Sequence, residues 1–114
     1  MRVGRELDIV LFGATGSVGS LTARYLAAAR PDARIGLAGR SEQRLGALRD
    51  ALGAGAADWP LLSTDLTDPA RLAQIVAGTG LVVSTVGPYG VHGLPLVEAC
   101  ASTGTDYVDV AGEI

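Results

Sequence analysis

Asp8-Ile-Val-Leu-Phe-Gly-Ala-Thr-Gly-Ser-Val-Gly19 joins a short apolar run to three glycines spaced GxxGxxG at the start of a helical pattern. Ile9 to Phe12 are four consecutive apolar residues, as in a parallel strand covered on both faces. The chain must then turn sharply. Gly13 permits the tight turn, Gly16 carries no Cβ to block a pyrophosphate, and Gly19 lets the next helix pack closely on the strand. Ser17 to Ala29 follow with Val18, Leu21, Tyr25 and Leu26 placed on one apolar face, so the helix starts at the loop and aims its free N–H groups and positive dipole end at a ligand. An anion is favoured there, and the stretch reads as a dinucleotide site. The spacing departs from GxGxxG, because Ala14 and Thr15 separate the first two glycines, so the surrounding strand and helix units carry as much of the reading as the glycines do.

Those units continue along the chain. Pro31 and Asp32 break the first helix, and Ile35 to Ala38 form a second strand ending at Gly39-Arg40. Ser41 caps a helix with Leu45, Leu48 and Leu52 on one face, stopped by Gly53 and Gly55. Trp59 to Leu62 lead into a third strand ending near Ser63-Thr-Asp65. Asp68 as N-cap and Pro69 as first helical residue open a third helix through Ala77, which Gly78 ends. Leu81 to Ser84 are a fourth strand, Thr85 to Gly93 a loop, Leu94 to Ser102 a fourth helix, and Tyr107 to Val110 a fifth strand. Right-handed crossovers at this spacing predict an α/β, Rossmann-like, doubly wound parallel sheet of about five strands in the order 3-2-1-4-5. A complete dinucleotide fold has six strands and commonly a substrate domain, so residues 1–114 are expected to be one NAD(P)-binding domain at the N-terminal end of a longer enzyme, truncated before that domain.

Composition prunes the alternatives. With 48% hydrophobic and 18% charged residues the chain is globular rather than disordered. A net charge of −3 and nine scattered arginines make no basic stripe, which argues against nucleic acid as a partner. There is no lysine, hence no P-loop lysine, Schiff-base lysine or Tyr-Lys pair within the chain. An extended short-chain dehydrogenase would need such a pair further on, and Tyr89 cannot supply it because Gly93 stands in the lysine position. Cys100 is the single cysteine and reads as a buried structural thiol, so neither an internal disulfide nor a cysteine metal cluster is expected. No apolar run is long enough to span a membrane, and a cytoplasmic location is the expectation, with membrane association left to segments beyond this one.

The end of the second strand chooses the cofactor. About 20 residues after the fingerprint, an NAD site places a carboxylate on the ribose hydroxyls. Here Arg40 and Ser41 stand instead, and a guanidinium beside a hydroxyl suits a 2′-phosphate, so NADP(H) is preferred over NAD(H). Asp65 either accepts from the adenine amino group or closes its own turn. Tyr89 either reaches the nicotinamide or anchors its loop, and His92 is either an acid–base group or a loop-packing residue. Asp109, Gly112 and Glu113 fall on the same ligand edge.

Gly13-Ala-Thr-Gly-Ser-Val-Gly19, Ala38-Gly-Arg40, Val86-Gly-Pro-Tyr-Gly90 and Gly104-Thr-Asp-Tyr-Val-Asp-Val-Ala-Gly-Glu113 together resemble the N-terminal NAD(P)-binding domain of the saccharopine dehydrogenase-like family, over nearly the whole chain. Within that family the sequence is most similar to the trans-acting enoyl reductase branch. The resemblance implies NADP(H)-dependent reduction of a carbon–carbon double bond on a polyketide-derived lipid, with a small-molecule or lipid substrate held by a segment beyond this one. It places pyrophosphate on Gly13, Ala14, Thr15, Gly16, Ser17, Val18 and Gly19, and the adenosine phosphate on Arg40 and Ser41. It sets Val86, Gly87, Pro88 and Tyr89 on the nicotinamide side, and Asp65, Leu66 and Thr85 complete the candidate cofactor-binding set. No catalytic or metal-binding residue is assigned. The competing reading is a non-catalytic NADP-sensing regulatory or scaffold domain, and an uncovered fifth strand leaves room for a homodimer.

Overall fold

Six apolar or alternating residues, Leu7–Phe12, form β1, and its register organises everything else. In the computed structural model, which describes residues 6–30, 32–65, 67–85 and 94–109, β1 pairs in parallel with β2 (Ile35–Gly39) on one side and β4 (Thr79–Ser84) on the other. Strand β3 (Leu61–Ser63) adds to β2, and β5 (Asp106–Asp109) adds to β4. The sheet order is β3-β2-β1-β4-β5, as the strand and helix alternation predicts. The carboxyl ends of β1, β2 and β4 therefore lie side by side, at the point where the strand order reverses and ligands bind in open α/β sheets.

Helices cover the sheet in pairs. On one face, α1 (Ser17–Ala29) and α2 (Glu42–Leu52) meet Ile9, Leu11, Ile35 and Leu37 through Ala23, Leu45 and Leu48, with Trp59 closing the cluster. On the other, α3 (Pro69–Ala77) and α4 (Leu94–Thr103) meet Val10, Phe12, Ala38 and Val82 through Leu72, Val76, Leu96 and Cys100. Each wholly buried aliphatic side chain in these clusters stabilises the fold by roughly 1.5–3 kcal/mol. The helix starts are those the sequence marks. Ser41 Oγ accepts from the Arg44 N–H at 3.2 Å, and Asp68 Oδ1 from the Arg71 N–H at 3.1 Å with Pro69 behind it.

Several boundaries differ from the sequence reading, with β1 beginning at Leu7 rather than Ile9 and α4 ending at Thr103 rather than Ser102. β4 begins at Thr79 rather than Leu81, because Leu7 extends β1 downward and pairs with Thr79, whose hydroxyl donates to the Ile75 carbonyl at 2.7 Å. β5 begins at Asp106, one residue early, in register with Leu81.

The face of α1 is the larger correction. The expectation set Val18, Leu21, Tyr25 and Leu26 toward the core, yet Val18 is 43% exposed, Leu21 67% and Tyr25 70%. The buried residues are Gly19 and Ala23, with Leu26 and Ala27 packed beside them. Small residues win because α1 comes so close to the loop after β1 that a larger side chain has no room there.

Candidate functional site

The three fingerprint glycines do three separable things. Gly13 adopts φ +77°, a left-handed conformation that side chains rarely tolerate, and so turns the chain off β1. Gly19 is forced by contact, since a Cβ there would stand 1.9 Å from the Gly13 carbonyl oxygen. Gly16 is under neither demand. Its φ of −75° suits any residue, and a Cβ would meet only the Gly13 oxygen at an ordinary 3.5 Å. The fold does not require glycine at 16, and the surface that its missing side chain leaves bare faces a cleft.

That cleft has a volume of about 540 Å³ and is walled by the ends of the strands. Gly13, Thr15 and Gly16 come from the loop, Gly39 and Arg40 from the end of β2, Thr64, Asp65 and Thr67 from the segment after β3, and Phe12 and Thr85 from the ends of β1 and β4. Main-chain bonds knit these pieces. The Gly13 and Ala14 N–H groups donate to the Ala38 carbonyl at 3.1 and 3.3 Å, and the Thr64 N–H donates to Gly39 at 2.9 Å. Thr85 Oγ1 lies 3.1 Å from both the Phe12 and Gly13 carbonyls, tying the end of β4 to the glycine turn.

Electrostatically the cleft offers positive potential at two places. Gly16 is the N-cap of α1, no side chain caps it and no acidic residue stands in the first turn, so the helix presents open N–H donors and its positive end. Arg40 is exposed on the rim, and its guanidinium makes no hydrogen bond or ion pair among the described residues. Only its carbonyl is engaged, by Ser63 Oγ at 3.4 Å.

The sequence-derived residues distribute unevenly. Gly13, Thr15, Gly16, Arg40, Asp65 and Thr85 line the cleft. Ala14 is wholly buried in the inner core cluster, and Gly19 is buried behind the loop. Ser17 and Val18 are exposed in the first turn of α1 and are not among the residues lining the cleft. Ser41 has its oxygen committed as the cap of α2. Asp65 Oδ1 accepts from the Thr67 N–H at 2.9 Å and hydroxyl at 2.8 Å, which is turn chemistry carried out at the cleft wall. Leu66, Val86 to Tyr89, His92, Gly112 and Glu113 lie outside the described residues. Sequence reasoning missed Phe12, Gly39, Thr64 and Thr67. Their signal was position, because each neighbours a strand end that the topology carries to the same edge.

Two buried groups sit under α4, off the cleft. Burial pushes the Cys100 thiol up to about 11, so the group is a packed, protonated thiol rather than a nucleophile. The Tyr107 phenol is also raised, chiefly by burial and further by the charge of Asp109. The nearby Ser84 hydroxyl opposes that rise without meeting hydrogen-bond geometry, and Tyr107 Oη is left buried with no partner among the described residues. Among the described residues no cluster of three or more His, Cys, Asp or Glu could hold a metal ion, and no helix is long and apolar enough to cross a membrane.

Comparison with known proteins agrees with this geometry. The family model for the saccharopine dehydrogenase NADP binding domain matches residues 9–113. The chain belongs to the saccharopine dehydrogenase NADP-binding family. Relatives named as trans-acting enoyl reductases are 60% identical over 109 residues in Mycobacterium tuberculosis and 54% identical over 110 residues in Mycobacterium ulcerans. Each alignment covers 96% of this chain and 26% of the relative, so the chain spans about a quarter of the length of the enoyl reductases it matches. Among solved structures, apo saccharopine dehydrogenase (L-Glu forming) from Saccharomyces cerevisiae superimposes with a TM-score of 0.75 at 26% identity, over 95% of this chain and 22% of that one. The triphenylmethane reductase of Citrobacter sp., solved with NADP(H), superimposes with a TM-score of 0.68 at 25% identity, over 86% of this chain and 34% of that one. The matched residues of this saccharopine dehydrogenase-type NADP-binding domain include the whole glycine loop, Gly13 to Gly19.

Proposed function

We propose that this domain holds NADP(H) for an oxidoreductase that reduces a carbon–carbon double bond on a polyketide-derived lipid intermediate. The observation that carries the cofactor half is Gly16, a position where the fold tolerates a side chain and none is present, at the uncapped end of α1 and facing the cleft. A pyrophosphate fits that cradle, because the bare Cα allows close main-chain approach while first-turn N–H groups supply donors and the helix end supplies positive potential. The names of the relatives support the enoyl reductase half.

In this reading Arg40 grips the 2′-phosphate of the adenosine ribose with its free guanidinium and stacks on the adenine, while Thr64, Asp65 and Thr67 border the base. Thr85 fixes the glycine turn, and the segment from Val86 to Tyr89 is assigned to the nicotinamide side on sequence grounds. When bound, the dihydronicotinamide supplies the hydride. The residues of this chain orient it and need perform no proton transfer of their own. Substrate is held by the rest of the longer polypeptide, so the 114-residue chain alone binds cofactor without turnover.

Calorimetric titration of the chain with NADPH and NADH, repeated on Arg40→Ala, tests the reading. A preference for NADPH that the variant loses is the expected result. Equal affinity for both cofactors in the unaltered chain would remove the 2′-phosphate role of Arg40, and steady NADPH oxidation by the pure chain with an enoyl substrate would contradict the need for a further segment.

A further inference from the structure

Helices protect only part of the sheet. Among the described residues, α1 and α2 lie over β1, β2 and β3 on one face, where Val83 of β4 is buried with them, and α3 and α4 lie on the other. On the α1 face of the β4–β5 half, register pairs Leu81 with Asp106 and the buried Val83 with Val108, so Leu81, Val108 and the exposed Asp106 point to the same side. Leu81 is only partly buried, at the edge of the inner cluster, and Val108 is 45% exposed. Beside them runs the exposed stripe of α1. Val18, Leu21 and Tyr25 recur at helical spacing on the side away from Gly19 and Ala23. With a right-handed crossover from β1 to β2, that spacing turns Val18 and Tyr25 outward and toward β4, away from α2.

Strands of a parallel sheet are normally covered on both faces. The next βαβ unit cannot cover this half. A right-handed crossover continuing outward from β5 puts its helix on the side of α4, as the β4-α4-β5 crossover already does. The missing cover must therefore come from an element outside the simple alternation.

We propose that the open half of this face seats an amphipathic helix contributed by the remaining three quarters of the longer polypeptide in which the relatives carry this domain. Its apolar side lies across Leu81 and Val108 and against Val18, Leu21 and Tyr25. The relatives supply ample chain for it, at about four times the length of this domain. Leu81 already belongs to the edge of the inner core cluster, so an element seated beside it extends a core this domain has begun. The proposal is independent of the cofactor reading, since it rests on sheet coverage alone.

The test joins residues 1–109 of this chain to the rest of the 60%-identical Mycobacterium tuberculosis relative, in place of the matching segment. Hydroxyl-radical footprinting then compares that polypeptide with the 114-residue chain. Oxidation of Leu21, Tyr25 and Val108 is expected to fall several-fold in the longer polypeptide, with Leu52 on the α2 side unchanged. Equal oxidation in both overturns the proposal, provided that buried Leu37 and Trp59 stay protected in each. Protection that already appears in the 114-residue chain and grows with its concentration also overturns it, in favour of a second copy. Leu21→Asp with Tyr25→Asp gives a second reading, because the pair should leave the melting temperature of the short chain unchanged and lower that of the long one. An equal effect in the two contradicts the proposal.

Discussion

Gly19 lies so close to Gly13 that a Cβ on the former would stand 1.9 Å from the carbonyl oxygen of the latter. The contact is main chain against main chain, so neither partner can swing aside as a flexible side chain would. Gly19→Ala must push α1 off the loop, and overpacking of this kind costs about 1–3 kcal/mol or more. The melting temperature should fall by roughly 4–8 °C per kcal/mol for a domain of this size. An unchanged melting curve would show that the helix has slack the packing does not suggest.

Gly16→Ala is the instructive contrast. Its backbone is ordinary and the nearest atom to a new Cβ is 3.5 Å away, so stability should shift by less than about 1 kcal/mol, the scale of an N-cap change. NADPH affinity should nevertheless drop by roughly tenfold or more, about 1.4 kcal/mol, as the methyl group occupies the pyrophosphate approach. A variant that binds as well as the parent would place the phosphates elsewhere.

In the proposed function Thr85 acts on the cofactor through the loop. Removing its hydroxyl in Thr85→Val deletes one proton shared between the Phe12 and Gly13 carbonyls, each 3.1 Å away, at a cost of about 1 kcal/mol. Hydrogen exchange at the Gly16 amide, which donates to Gly13 at 3.1 Å, should quicken and cofactor binding weaken together. Thr85→Ser should restore both, whereas a role in bulk packing alone would leave Ser no better than Val.

Cys100 makes a prediction about pH. Its folded thiol titrates near 11 against an ordinary 9.0, so between those values the folded state holds a proton that the unfolded state has lost. Its contribution to stability is therefore complete below about pH 9 and is lost as pH rises toward 11. The raised Tyr107 phenol acts in the same direction at its own, higher range. Denaturation midpoints should fall across this window, and less steeply in Cys100→Ala. Rapid alkylation of the native thiol at pH 8 would contradict the burial.

Fold and site differ in how far the chain declares them. Strand order was legible because parallel crossovers obey one hand and because Ile9 to Phe12, Ile35 to Ala38 and Leu81 to Ser84 are apolar runs with turn residues after them. The caps at Ser41 and Asp68 were legible because their chemistry is local. The inward face of α1 was not. Val18, Leu21 and Tyr25 follow the helical period as well as Gly19 and Ala23 do, and only the closeness of approach at Gly13, a tertiary fact, decides that small residues go inside. Asp65 stayed ambiguous for a related reason. A carboxylate at a strand end serves a ligand or its own turn with the same sequence signature, and the bonds to Thr67 appear only in three dimensions.

The Gly13 carbonyl accepts from the Gly16 N–H and from Thr85 Oγ1 and presses against Gly19, while the Ala14 N–H of the same peptide donates to the Ala38 carbonyl at 3.3 Å. One peptide plane is thus pinned from four directions, and flipping it would break bonds to two neighbouring strands at once. In the proposed function the cofactor consequently meets a glycine turn whose main chain is already fixed. Its arrival should be a single fast kinetic phase, linear in cofactor concentration and without a slower conformational step behind it.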